Sequence, residues 1–166
     1  MTFAEWFLPE LDHEMRTTRS LLERVPFDNP VWKPHAKSTS LGDLASHVVN
    51  LAGYGVRVAT EPEINFAPAG GAPYAPKVYR DRNELLAAFD ANAAKSRAAI
   101  AALPEQALGV PWSLKFGDHV IFTQPRGLVL RSFFMNHIIH HRGQLSVYLR
   151  LNDVPLPSIY GPTADT

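Results

Sequence analysis

Apolar residues in this chain return at steps of three and four over four separate stretches, and each stretch predicts a helix with one inward face. In the first, Leu8, Leu11, Met15, Thr18, Leu22 and Val25 form the stripe, which ends before Pro26. The second runs through "LGDLASHVVNLAGYGVRVAT" behind Ser40, with Asp43 three residues on, close to a capping box. Its inward positions are Leu44, His47 or Val48, Leu51 and Gly55. The third opens at Asp81 with Glu84 in the same spacing and carries Leu86, Phe89, Ala93, Ser96, Ile100 and Leu103 before Pro104 stops it. The fourth begins just after Pro125 and ends near Asn152, a suitable left-handed terminal residue, with Pro155 soon after. Stepping alternately by four and three, its seam reads Leu130, Phe134, His137, His141, Gln144, Tyr148 and Leu151. Two histidines thus stand where a helix in a bundle normally carries leucine.

The pattern predicts an all-α fold, a bundle of four mostly antiparallel helices forming one domain over residues 1–166. The linker "EPEINFAPAGGAPYAPKVYR" is too long for a tight turn and suits a crossover between the second and third helices. Its Phe66, Tyr74 and Tyr79 are expected to anchor it to the core in preference to forming a substrate lid. "VPWSLKFGDHVIFTQPR" predicts a small β-hairpin around Gly117-Asp118, before the fourth helix. The proline-rich tail "VPLPSIYGPTADT" is expected to lie extended along the bundle.

Charge and composition remove several functions. Lys plus Arg equals Asp plus Glu at 16 each, so no basic field exists to hold a nucleic-acid backbone. The chain has no cysteine, which excludes disulfides, thiolate ligands and a cysteine nucleophile. Glu5, Glu10 and Asp12 occupy the N-terminal stretch where a signal peptide needs a basic start and an apolar core. No apolar run approaches the roughly 20 residues that span a bilayer. The expectation is a soluble, cytoplasmic protein without a membrane or nucleic-acid partner.

The candidate chemistry lies in "NHIIHHRGQ". At about 100° per residue, His141 sits about 40° round the helix from His137, so the pair can aim two imidazoles at one atom. His47, on the inward stripe of the second helix, supplies a third from a facing element. Three neutral imidazoles with an open fourth position describe a catalytic-type site for a divalent metal, and the ligand type admits zinc or nickel. The competing reading is a buried hydrogen-bond network. Several polar rings in one dry region would each cost about 1–3 kcal/mol if unpaired, and one ion answers them together. His13, His35 and His119 fall off the seam or in loops and read as solvated, while His140 lies at the margin of the face. Ile138 follows His137, so the His-Glu pair of a zinc-protease helix is absent, as are the nucleophile elbow, phosphate loop and dinucleotide fingerprint. A general base must come from His140, Asp43, a loop residue or solvent activated by the metal. Asp43, one turn before His47, serves equally as a helix cap.

These segments resemble the DinB-like family of small four-helix-bundle metal proteins. The likeness rests on "LGDLASHV", on "WKPHAKSTS" before it, and on "NHIIHHRGQLSVYLRLNDVPLPSIYGP" in and after the fourth helix. The resemblance implies a homodimer and a divalent metal, nickel or zinc, held by His47, His137 and His141. It implies support of packing or of the outer ligand shell by Gln144 and Tyr148. Arg142 and Gly143 are expected to be structural, Gly143 by permitting close helix approach. Related bundles include transferases that use a low-molecular-weight thiol, and others are proposed hydrolases. The expected function is a metal-dependent enzyme on a small-molecule substrate, with thiol transfer preferred because no carboxylate flanks His137 and an activated thiol needs no separate base. The alternatives are a metal-dependent hydrolase and a non-catalytic metal-binding dimer.

Overall fold

The structure, a computed structural model, describes residues 1–72 and 74–166; Pro73 of the linker lies outside them. Helix α1 spans Phe3–Leu22, α2 Leu41–Ala52, α3 Tyr54–Thr60, α4 Arg82–Ala101, α5 Arg126–Val129 and α6 Asn136–Leu151. A π-helical segment, Leu130–Met135, joins α5 to α6. The starts follow the capping signals. Thr2 and Glu5 cap α1 reciprocally, the Asp43 N–H donates to Ser40 Oγ at 3.2 Å, and the Glu84 N–H donates to Asp81 Oδ1 at 3.0 Å. Helix α1 packs on α4 and α6, and α2 packs on the same two, so the four long helices share one apolar core. Phe7, Leu11, Val48, Leu51, Phe89, Ile100, Phe134 and Ile138 lie in it. No helix among the described residues is long and apolar enough to cross a membrane.

Three features depart from the expected pattern. First, the second helix breaks at Gly53, and α3 continues as a separate piece. Gly55 lets α3 press on its neighbours: a Cβ there would stand 2.7 Å from Ser96 Cβ and 2.9 Å from Phe134 Cζ. Second, the chain is mostly but not wholly helical. Strand β1, Glu63–Asn65, pairs parallel to β2, Pro111–Phe116, which pairs antiparallel to β3, His119–Pro125. The hairpin turns at Gly117-Asp118 as expected, with Gly117 at φ +61°. The Asn65 side chain locks β1 to that turn, donating to Gly117 O at 2.9 Å and accepting from Gly117 N at 3.0 Å. A three-residue strand is too short to show alternation, so nothing in the linker betrays it.

Third, the buried stripe of the last helical stretch is Leu130, Phe134, Ile138, Arg142, Leu145 and Leu149. After Phe134 the steps run four, four, three, four, because a π turn carries more residues than an α turn. The predicted seam lies one position round: Gln144 and Leu151 are exposed, and His137 and His141 are half-buried at the edge of the core. The left-handed residue at the helix end is Asp153, φ 57°, one place beyond Asn152, whose amide donates to Tyr148 O at 2.8 Å. Gly143 faces open space, with nothing within 4 Å of an added Cβ, so it does not serve close helix approach.

Arg142 is the polar exception in that stripe. Its Nη1 donates to Glu14 Oε2 at 2.5 Å and its Nη2 to the Tyr160 hydroxyl at 2.6 Å. Tyr160 Oη in turn donates to Glu14 Oε1 at 2.9 Å. The side chains of Arg142 and Glu14 are 3% and 5% exposed, so this network ties α6 to α1 and to the C-terminal tail in a dry setting. Removing one partner strands the other charge, at a cost of about 3–5 kcal/mol. Arg142→Ala should therefore lower unfolding free energy by that amount in urea titration, whereas Tyr160→Phe should cost about 1 kcal/mol. A loss below about 1 kcal/mol in Arg142→Ala would contradict the assignment.

Candidate metal centre

His47 projects from the middle of α2, while Leu44 and Val48 beside it enter the core. His137 and His141 stand one turn apart on α6, flanking buried Ile138. Because α2 packs on α6, the three rings meet: one candidate ligand atom from each lies within 4.8 Å of the others. Ring centroids are 5.4 Å apart for His47 and His137, 4.5 Å for His47 and His141, and 4.7 Å for His137 and His141. No fourth His, Asp or Glu joins the cluster among the described residues.

Burial pushes the pKa values of His47 and His137 down to about 4, and the neighbouring His141 adds to both. His141 is also lowered, by burial first, against the opposing hydrogen bond to Gln144. All three rings are therefore neutral at pH 7, the form that ligates metal. Gln144 Oε1 accepts from His141 Nδ1 at 2.7 Å, which leaves the Nε2 lone pair free toward the cluster. His137 Nδ1 is buried without a hydrogen-bond partner, although the Phe133 carbonyl favours its protonated form. Three neutral nitrogens with no carboxylate suit a borderline divalent cation and do not suit calcium or magnesium.

The family model for the DinB superfamily matches residues 10–145. The chain belongs to the DinB superfamily. Its fold is similar to that of a DinB-like protein from Bacillus cereus, at 19% identity and a TM-score of 0.70, over 94% of this chain and 97% of that one. A DinB-like protein from Bacillus subtilis matches at 22% identity and a TM-score of 0.67, over 94% and 98%. At these identities the likeness carries the fold alone. No curated protein matches the chain.

In this DinB-superfamily chain the two larger of the cavities lined by His47 and Pro76 differ in character. The polar one, about 510 Å³, is lined by Lys37, Asp43, Gln144 and Tyr148 as well as His47 and His141. The apolar one, about 710 Å³, is lined by Tyr54, Phe66, Tyr74 and Phe133 as well as His47 and His137. Asp43 accepts the Ser40 hydroxyl at 2.7 Å, so it orients the residue that caps α2 while standing on the polar wall. His140 is exposed, its ring centroid 4.8 Å from that of His141. His13, His35 and His119 are exposed and outside the cluster, as expected. Of the linker aromatics only Tyr79 is a buried anchor, its N–H donating to Ser46 Oγ at 3.0 Å. Phe66 is partly buried and packs against the core as expected while also lining the apolar cavity, and Tyr74 lines that cavity. Sequence reasoning missed Lys37, Tyr54 and Phe133. Phe133 was within reach, since it precedes His137 by one helical turn.

The depressed pKa values give a signed prediction for the metal-free protein. An unfolded imidazole binds its proton near pH 6.5, whereas His47 and His137 in the fold do so near 4. Stability should therefore fall as pH drops from about 6.5 toward 4 and change little from these groups above pH 7. Imidazole NMR titration should place both midpoints near 4, and ordinary midpoints near 6.5 would contradict the burial argument.

Proposed function

We propose that this chain is a divalent-metal enzyme acting on a small molecule, with His47, His137 and His141 as the metal ligands. The convergence of three neutral imidazoles at the meeting point of two cavities carries this reading. The fitting metals are nickel and zinc, and the absence of a fourth His, Asp or Glu ligand among the described residues favours an open site over a purely structural one. The four long helices are read as an antiparallel bundle within a single domain over residues 1–166. Homodimerisation is carried over from the family resemblance, and light scattering at micromolar concentration should report twice the chain mass.

The reaction we favour is transfer of a low-molecular-weight thiol to an electrophilic substrate. A bound divalent cation would supply Lewis-acid activation, lowering the pKa of the thiol. The thiol sulfur forms the new bond to an electrophilic carbon and the leaving group departs with the old bonding pair. The thiol proton passes to solvent through the polar cavity, and no electrons are exchanged. Lys37 and Asp43 give that cavity both signs of charge, suited to a polar co-substrate, while the other cavity is left for the electrophile. Gln144 fixes the His141 tautomer. Hydrolysis is the alternative, with water replacing the thiol and Asp43 on the polar wall available to take its proton.

Elemental analysis of protein purified without chelator should find one divalent metal per chain. His47→Ala, His137→Ala and His141→Ala should each lose it, and His119→Ala should not. Gln144→Leu should retain the fold and weaken metal affinity by about 10–100-fold. Full retention in His47→Ala would overturn the ligand assignment. With cobalt in the site, a small thiol should shift the visible spectrum; ester or amide hydrolysis without thiol, and no spectral response to thiol, would favour the hydrolase.

A further inference from the structure

We propose that the aromatic cavity beside His137 is a substrate subsite for a flat apolar group, borne by a molecule whose one polar donor head reaches the histidine cluster. The proposal rests on the metal reading and adds what the site takes. At about 710 Å³ the cavity falls within the roughly 300–1,000 Å³ typical of small-molecule pockets. Tyr54, Phe66, Tyr74 and Phe133 wall it, and among the described residues no Asp, Glu, Lys or Arg lines it. Its ring nitrogens are grouped, since the His47 and His137 centroids stand 5.4 Å apart. Ring centroids lie 5.1 Å apart for Phe66 and Tyr74 and 6.1 Å apart for Tyr54 and Phe133, so the walls are already paired in tilted and offset contacts that another ring can join. Phe116 at 61% and Tyr74 at 38% exposure leave apolar surface open on the same cavity.

The wall chemistry selects the occupant. A peptide laid here would bury more backbone N–H and C=O groups than the Tyr54 and Tyr74 hydroxyls, which pair with each other, could satisfy. A charged body would find no counter-charge. A small aryl compound meets both conditions, provided its nitrogen or oxygen head lies at the histidine end.

The test compares imidazole with 4-phenylimidazole on the zinc-loaded protein by calorimetry, with NMR contacts from the phenyl protons. The phenyl compound should bind on the order of tenfold more tightly, with contacts to the rings of Phe66 and Phe133. Phe66→Ala and Phe116→Ser should each reduce that preference to about threefold or less. Phe116 is exposed enough that its replacement leaves folding intact. Equal affinities, phenyl contacts elsewhere, an undiminished preference in both variants, or exclusion of the probe because copies of the chain cover the cavity would each overturn the proposal. Phenyl contacts to Phe66 and Phe133 without any imidazole binding would keep the subsite and overturn the metal reading instead.

Discussion

Keeping three imidazoles uncharged side by side below about pH 6.5 requires that water be partly excluded and that the helices bearing them be held firmly. The α2–α6 seam meets both conditions. Burial depresses the proton affinity of His47 and His137, and the neighbouring His141 further disfavours a proton on both. Full burial would seal the site, while full exposure would let the rings charge below pH 6.5. The π turn before α6 sets the compromise. It brings Ile138, in place of His137, to the centre of the core and leaves both histidines at its edge, where cavities can reach them.

The remaining architecture holds that seam in place. Arg142 follows His141 directly, faces the other way, and ties α6 to α1 through Glu14. Gly55 gives Phe134 and Ser96 the clearance to pack on α3, and Ser96 Oγ donates to Ala52 O at 2.6 Å where α2 ends. The small sheet contributes Leu114 and Phe116 to the apolar cavity, while Tyr54 comes from α3 and Phe66 from the linker. Strands and linker thus furnish one side of the site and helices the other.

Much of this was legible in the residues. Ser40 with Asp43 and Asp81 with Glu84 mark two helix starts because their side chains satisfy free backbone donors locally. The histidine trio was legible because an i, i+4 pair shares a helix face and His47 falls on an inward stripe. What escaped depends on non-local contacts or on one irregular turn. No residue type marks a π turn, so the regular period placed the seam one step away from the buried stripe. Strand β1 exists only through pairing with β2, some fifty residues on. Phe66, expected to be an anchor, does pack against the core, but with Tyr74 it also lines a cavity together with Tyr54 and Phe133, which sequence alone does not bring together.

X-ray absorption at the zinc edge, on zinc-loaded protein, addresses the central claim most directly. The account predicts three imidazole nitrogens at about 2.0–2.1 Å with one light exogenous ligand, and the imidazole count dropping by one in His141→Ala. A shell containing a protein carboxylate or a fourth imidazole, or fewer than three imidazoles in the unaltered protein, would contradict it.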